Sequence, residues 1–121
     1  MSLGLSIIPV KKYYDCGGGK KAILNYTKLT FDQDYQIFEQ ISNFAGGNNS
    51  VIPTLPLPQE VTLYLDGKDI RTNPYGDELT VALAGDMQKI KWPENTHPFN
   101  NAIKAFIDSL PAETHIILYW E

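Results

Sequence analysis

The sequence predicts an α+β fold: an antiparallel or mixed sheet of about five to six strands, with two main helices packed on one face. Runs rich in Ile, Val, Leu and Tyr recur along the chain, two segments carry apolar residues at helical spacing, and Gly, Pro and Asn clusters separate these segments. At 121 residues, with 43% hydrophobic and 20% charged residues, the chain has the size and composition of one globular unit. We therefore treat residues 1–121 as a single domain.

A basic hairpin is predicted at about residues 5–29. Two runs of β-forming residues, 5–14 and 22–29, flank the glycines at 17–19, and glycine adopts the positive φ angles that a tight reversal needs. Pro9 has no amide donor, which predicts that the first strand lies at a sheet edge or carries a bulge.

A helix is predicted at about residues 31–45. Thr30 and Gln33 fit a capping box, and Gly46 with Gly47 provides a stop signal. The apolar residues that share one face of this helix are Phe31, Tyr35, Phe38, Ile41 and Ala45.

Residues 48–58 hold three prolines and two adjacent asparagines, which predicts a Pro-rich surface connection. A hairpin or meander follows at 61–83, where apolar and polar residues alternate as in a half-buried strand and Asp66-Gly67 provides a two-residue turn.

Residues 79–90 match both a strand and a helix. We favour a strand to Leu83 and a short helix at 86–90, because Gly85 would cost a continuous helix about 1 kcal/mol relative to alanine. One continuous helix is the alternative.

The C-terminal region combines a helix at about 98–110 with a strand at 115–120. Pro98 suits a first helical turn and Pro111 ends the helix. The apolar stripe of this helix consists of Phe99, Ile103, Phe106, Ile107 and Leu110. The final strand is almost wholly apolar, which is typical of a central strand that is buried on both faces.

Charge is distributed unevenly. Residues 1–30 hold five lysines and one aspartate, a net charge of +4, whereas the remaining 91 residues carry −8. Lysines interleaved with tyrosines neutralise phosphates and stack on bases, which predicts a nucleic-acid contact in the hairpin. The residues of this predicted contact are Lys11, Lys12, Tyr13, Tyr14, Lys20 and Lys21. Lysines that protect a sheet edge against pairing are the alternative.

Several kinds of site are not supported by the residues. One cysteine excludes an internal disulfide framework and an all-cysteine metal site. The glycine-rich loop before Lys20 and Lys21 lacks the first glycine and the hydroxyl of a Walker loop. The sequence also contains no apolar stretch of membrane-spanning length and no signal peptide. We therefore expect no cofactor, no metal ion and no membrane contact.

No catalytic residue is assigned, because no local constellation supports one. If the protein is an enzyme, its active site must combine residues that are distant in sequence. Cys16, His97 and His115 are then the candidates, since thiol and imidazole groups serve as nucleophiles and bases.

Scattered landmarks resemble a loose group of small phage and prophage proteins. The matching segments are Gly4 with Ile7, residues 31–35 with Phe38, residues 53–58 with Val61, and Leu79-Thr80. Leu5, Ser6 and Ile8 stand where that group has Cys, Asp and His, so a metal or nucleophile role of those residues is not carried over. The resemblance implies a bacterial or phage accessory protein and no particular reaction.

These observations together predict a cytoplasmic, non-enzymatic interaction protein with a protein partner. Aromatic residues are enriched at interfaces, so the predicted protein contacts are Tyr64, Tyr75 and Trp92. Nucleic-acid binding through the hairpin and a non-local active site are the two alternatives. No feature of the sequence determines the oligomeric state.

Overall fold

The computed structural model describes residues 3–24, 27–41 and 51–121. In chain order the strands are β1 (Leu5–Pro9), β2 (Tyr13–Gly17), β3 (Lys20–Leu24), β4 (Leu29–Thr30), β5 (Leu55–Pro56), β6 (Val61–Leu65), β7 (Lys68–Ile70), β8 (Thr80–Leu83) and β9 (His115–Trp120). The helices are α1 (Tyr35–Phe38), α2 (Ala84–Met87) and α3 (Pro98–Asp108). The predicted α+β class is confirmed, but the strands form two sheets rather than one.

The first sheet has five antiparallel strands in the order β4-β1-β9-β8-β5. β9 lies at its centre, as predicted from its apolar sequence. The prediction that Pro9 marks an edge strand or a bulge is wrong, because β1 is paired on both sides. Pro9 is the last residue of β1, opposite Ile116, and the end of a strand tolerates one missing donor.

The second sheet is mixed, with four strands in the order β2-β3-β6-β7. β3 and β6 run parallel, and the two outer pairs are antiparallel hairpins. The predicted turns at 17–19 and at Asp66-Gly67 are both confirmed. The predicted N-terminal hairpin is shorter than expected, because β1 leaves it and joins the other sheet.

The five-stranded sheet lies in the middle of three layers, with the helices on one face and the four-stranded sheet on the other. Alternate residues of β9 serve the two sides: Leu118 packs in the helix-side core, and Ile117 packs between the sheets. On β1, Ile7 and Ile8 divide in the same way. Burial on both faces explains why β9 is almost continuously apolar.

The first helix differs from its prediction. α1 has four residues, and its N-cap is Asp34, whose carboxylate accepts a 2.9 Å hydrogen bond from the Gln36 amide. Thr30 is not a cap: it belongs to β4, and its hydroxyl lies 2.8 Å from the Ser6 hydroxyl. Thr30 therefore pairs with β1 instead of capping the helix, although its local sequence fits a capping box. The predicted continuation at 42–45 and the stop at 46–47 lie outside the described residues.

The last helix follows its prediction, and α3 begins at Pro98. His97 caps it, since its Nδ1 accepts a 3.1 Å hydrogen bond from the Phe99 amide. Among the described residues α3 is the only helix longer than four residues, so the expected pair of main helices is replaced by one helix and two single turns.

The short helix in the ambiguous segment begins two residues earlier than predicted and includes Gly85. The Gly85 amide donates to the Ala112 carbonyl at 2.8 Å, and a Cβ at this position would lie 3.0 Å from the Ala112 Cβ. Close approach of the two segments, rather than helix termination, therefore explains this glycine. The favoured strand to Leu83 is confirmed.

The predicted surface connection at 48–58 is partly buried. Ile52 and Leu57 are almost completely buried, and β5 pairs with β8. Residues 48–50 lie outside the described residues. Within the described ranges, no helix combines the length and apolar character needed to cross a membrane.

Candidate functional site

The β2–β3 hairpin is the part of the chain that presents two different candidate sites. Gly17, Gly18 and Gly19 have φ angles of 82°, 62° and 78°, a conformation that residues with a Cβ rarely adopt. β2 is an edge strand, and β3 pairs with β6. The glycine turn therefore places the basic hairpin at the border of the four-stranded sheet.

Adjacent residues of the hairpin face opposite sides of this sheet. Tyr13 pairs with Ile23, which pairs with Leu63, and both aliphatic residues belong to the core between the sheets. Tyr14 pairs with Ala22 and therefore points to the outer face. The two neighbouring tyrosines thus belong to two separate surfaces.

An apolar cavity of about 250 Å³ lies where β2 of one sheet approaches β5 and β8 of the other. Its apolar lining includes Pro53, Pro56 and Val81. Leu55 and Leu83 also line it, and they are 70% and 42% exposed. These two leucines form an apolar rim at the cavity, which we call the leucine rim.

A hydrogen-bonded pair of side chains supplies the main polar group of the cavity. The Tyr13 hydroxyl lies 2.5 Å from His115 Nδ1, and the two rings meet edge to face at 5.8 Å between centroids. Burial raises the pKa of Tyr13 above its ordinary value of about 10. The phenol therefore stays neutral at physiological pH and keeps its hydrogen-bonding proton.

Asp86 is the charged residue in the lining of the cavity. Its carboxylate lies 3.5 Å from the Lys89 ammonium, so a partner charge already balances it. The cavity is consequently apolar over most of its lining, with polar groups restricted to Tyr13, His115 and this ion pair.

The outer face of the four-stranded sheet is the second candidate site. By register, β2, β3 and β6 contribute Tyr14, Ala22 and Thr62 in one row, and the next row contains Leu24 and Tyr64. Tyr64 is 45% exposed. Two tyrosines about 12 Å apart, as strand spacing and residue rise imply, therefore lie on one solvent-facing surface.

Lysines border this outer face on its β2–β3 side. The ammonium group of Lys12 lies over the Tyr14 ring, 5.0 Å from its centroid. Lys11, Lys20 and Lys21 are exposed nearby. Of the residues predicted to contact nucleic acid, Lys12, Tyr14 and Lys20 thus lie on the outer side, whereas Tyr13 turns inward to the cavity and Lys21, which pairs with Val61, alternates to the inner side at its exposed margin.

The three predicted protein contacts do not form one surface. Tyr64 lies on the outer sheet face, and Tyr75 is exposed in the turn that follows β7. Trp92 stacks on Phe31 at 6.1 Å between ring centroids and packs against the helix-side core. The central sheet separates Trp92 from Tyr64.

The three candidates for a non-local active site make separate contacts. Cys16 is exposed on the hairpin and donates to the Tyr14 carbonyl, His97 caps α3, and His115 bonds to Tyr13. No hydrogen bond joins any two of them, and the described ranges contain no cluster of three His, Cys, Asp or Glu residues suited to a metal ion.

The sequence argument missed the cavity because its lining comes from distant segments. Pro53, Pro56 and Leu55 belong to the segment interpreted as a surface connection, and Tyr13 was grouped with the lysines. A usable signal was the run of aliphatic residues among the prolines, Val51, Ile52, Leu55 and Leu57, since a segment with this many apolar side chains buries part of them.

Comparison with known proteins identifies no relative. No family model, curated protein or solved structure matches the chain.

Proposed function

We propose that this chain is a non-enzymatic interaction protein whose apolar cavity receives a bulky apolar side chain of a partner protein. The observation that carries the proposal is the apolar cavity of about 250 Å³ beside the exposed leucine rim, Leu55 and Leu83. Side chains that fill such pockets at the centre of an interface commonly supply much of the binding energy.

The size of the cavity favours a partner chain over a free small molecule. Small-molecule sites typically enclose roughly 300–1,000 Å³, and this cavity lies below that range. A small occupant would also leave Leu55 in water. A partner that extends beyond the cavity would cover both rim leucines and gain the hydrophobic free energy of that burial.

The polar pair gives the site a means of orienting the partner. Tyr13 and His115 combine apolar ring surface with hydrogen-bonding groups, a combination that is enriched in interfaces. In this proposal the protein acts in the cytoplasm of a bacterial cell as a phage-like accessory protein, in keeping with the resemblance described above.

Site-specific photo-crosslinking tests the proposal. Leu55 is replaced by p-benzoylphenylalanine, and bacterial cells that contain this variant are irradiated. The crosslinked peptide is then identified by mass spectrometry. The same replacement at Tyr75, which is also exposed but does not line the cavity, is the matched control. We expect an adduct from position 55 that is absent from position 75.

A synthetic version of the crosslinked peptide then provides the quantitative measurement. We expect it to bind the purified protein and to lose at least tenfold in affinity with Leu83→Glu, because a carboxylate on the rim would be desolvated by the partner. Identical adducts from both positions, or peptide binding that Leu83→Glu leaves unchanged, would overturn the proposal.

A further inference from the structure

We infer that the outer face of the four-stranded sheet binds single-stranded nucleic acid, with Tyr14 and Tyr64 stacking on bases and the hairpin lysines neutralising phosphates. This function is separate from the proposed protein contact, because the cavity opens between the sheets and this face points away from them. We call Lys12, Tyr14, Lys20 and Tyr64 the basic face.

The first argument is the state of the hairpin lysines. Outside the hairpin, four of the six basic residues form ion pairs: Lys28, Arg71, Lys89 and Lys104. Among the described residues, Lys12, Lys20 and Lys21 have no carboxylate within ion-pair distance. The charges of these three lysines are therefore not balanced by an ion pair and can attract an anionic partner.

The second argument is the position of the tyrosines. A base stacks on the face of an aromatic ring, so a stacking platform needs aromatic rings on an accessible sheet face. Tyr14 and Tyr64 share the outer face by register, on strands separated by β3. A strand of nucleic acid that crosses the sheet diagonally would meet both rings and pass Lys12, which precedes β2, and Lys20 of β3.

The net negative charge of the chain does not prevent this contact. Acidic residues such as Asp34 and Asp108 belong to the helix layer, which the central sheet separates from the basic face. Sheets pack about 10 Å apart and helices are about 10 Å thick, so these charges lie roughly 20 Å away. The Debye length of about 8 Å at physiological salt screens them.

Asp69 is an acidic residue on the same face and yields a specific expectation. Asp69 pairs with Tyr64 and is exposed, so it places a negative charge beside a stacking ring. Asp69→Asn should strengthen binding, because it removes repulsion of the phosphates without changing the shape of the side chain.

The test is fluorescence anisotropy of a labelled oligothymidine of about 12 nucleotides at 50 and 200 mM salt. Two phosphate contacts, from Lys12 and Lys20, imply a slope of about −1.4 in log K against log salt, hence a loss of about sevenfold over this range. Lys12→Gln with Lys20→Gln should remove this salt-dependent loss. Lys91→Gln with Lys104→Gln, the same charge change on the helix side, is the control and should bind like the wild type.

The tyrosines separate stacking from simple charge attraction. Tyr14→Leu and Tyr64→Leu should each weaken binding about 5- to 150-fold, and the corresponding phenylalanine variants, which keep the ring, should bind nearly as the wild type does. Tyr75→Leu is the matched control. Circular dichroism of each variant verifies its fold.

Four results would overturn the inference: no binding at 50 mM salt, equal losses in the two lysine pairs, unchanged binding in both leucine variants, or equal affinity for duplex of the same length. Absence of oligonucleotide binding would leave an acidic protein surface as the partner of the lysines. None of these oligonucleotide results bears on the proposed protein contact at the cavity, which is tested separately at Leu55 and Leu83.

Discussion

The two faces of the β2–β3 hairpin contain similar residues in different environments. On the inner side, Tyr13 is hydrogen-bonded to His115 and packs against the core between the sheets. On the outer side, Tyr14 lies beneath the Lys12 ammonium and faces solvent. The same residue type thus packs against the core on one face and lies on the outer surface on the other, because side chains alternate along a strand.

Local composition did not identify the environment of either tyrosine. Lysines and tyrosines are interleaved in the sequence, yet only one of the two adjacent rings accompanies the lysines in space. The next strand of the sheet, rather than the residues beside it in sequence, determines the environment of each ring. Matched substitutions on the two faces test this contrast.

The largest effect is expected for adjacent aliphatic residues of β3. Ile23 is fully buried between the sheets and Leu24 is only half-buried. Ile23→Ala should lower the free energy of unfolding by about 2–5 kcal/mol, and Leu24→Ala by well under half as much. Urea denaturation monitored by circular dichroism measures both. Equal losses would show that the two faces are buried alike.

A smaller effect is expected when the polar pair in the cavity is broken. Tyr13→Phe leaves His115 Nδ1 without its partner and should cost about 0.5–1.5 kcal/mol of stability. Tyr64→Phe, which changes the same atom on the outer face, should alter stability by no more than about 0.5 kcal/mol. The same denaturation experiment compares them, and an equal loss in both variants would contradict the assigned environments.

The pKa of Tyr13 predicts a dependence of stability on pH. Burial raises this pKa in the folded state above its ordinary value of about 10, so the contribution is fully present below pH 10 and is lost as pH rises through the folded pKa. The stability advantage of the wild type over Tyr13→Phe should therefore shrink as the pH rises above about 10.

Tyr119 is the control for this titration. Its pKa is also raised, by burial and then by the nearby carboxylates of Glu121 and Asp66. The stability difference between wild type and Tyr119→Phe measures the alkaline contribution of Tyr119. The difference between wild type and Tyr13→Phe measures that of the cavity tyrosine. A constant difference across this pH range would contradict the raised pKa.

The smallest effect is expected at the leucine rim. Leu55→Ala should change the free energy of unfolding by no more than about 0.5 kcal/mol, because this side chain is 70% exposed. Leu57→Ala, two residues along in an almost completely buried position, should cost about 2–5 kcal/mol. A large loss from Leu55→Ala would show that position 55 serves packing rather than recognition.

Features determined by short-range chemistry could be predicted from the sequence. The hairpin turns at 17–19 and at Asp66-Gly67 follow from glycine, and the start of α3 follows from Pro98. The central position of β9 follows from its continuous apolar run. Each of these signals lies within a few residues of the element that it specifies.

The candidate sites could be predicted only in part. The exposed hairpin lysines follow from their charge, since burial of an unpaired ammonium is costly. The inward turn of Tyr13 and the cavity beside Leu55 could not be predicted, because they depend on β5 and β9, which lie roughly 40 and 100 residues further along the chain. Trp92 illustrates the same limit, since its packing on Phe31 joins segments that are far apart in sequence.

Local propensity and charge act over a few residues, so the α+β class, the main turns, the last helix and the basic character of the hairpin could be predicted from the sequence alone. Three features emerge only in the folded chain: the strands divide into two sheets, Thr30 pairs with β1 instead of capping a helix, and Tyr13 and Tyr14 lie on opposite faces. Those outcomes depend on long-range strand pairing, whose free energy comes from burying apolar faces contributed by distant parts of the chain.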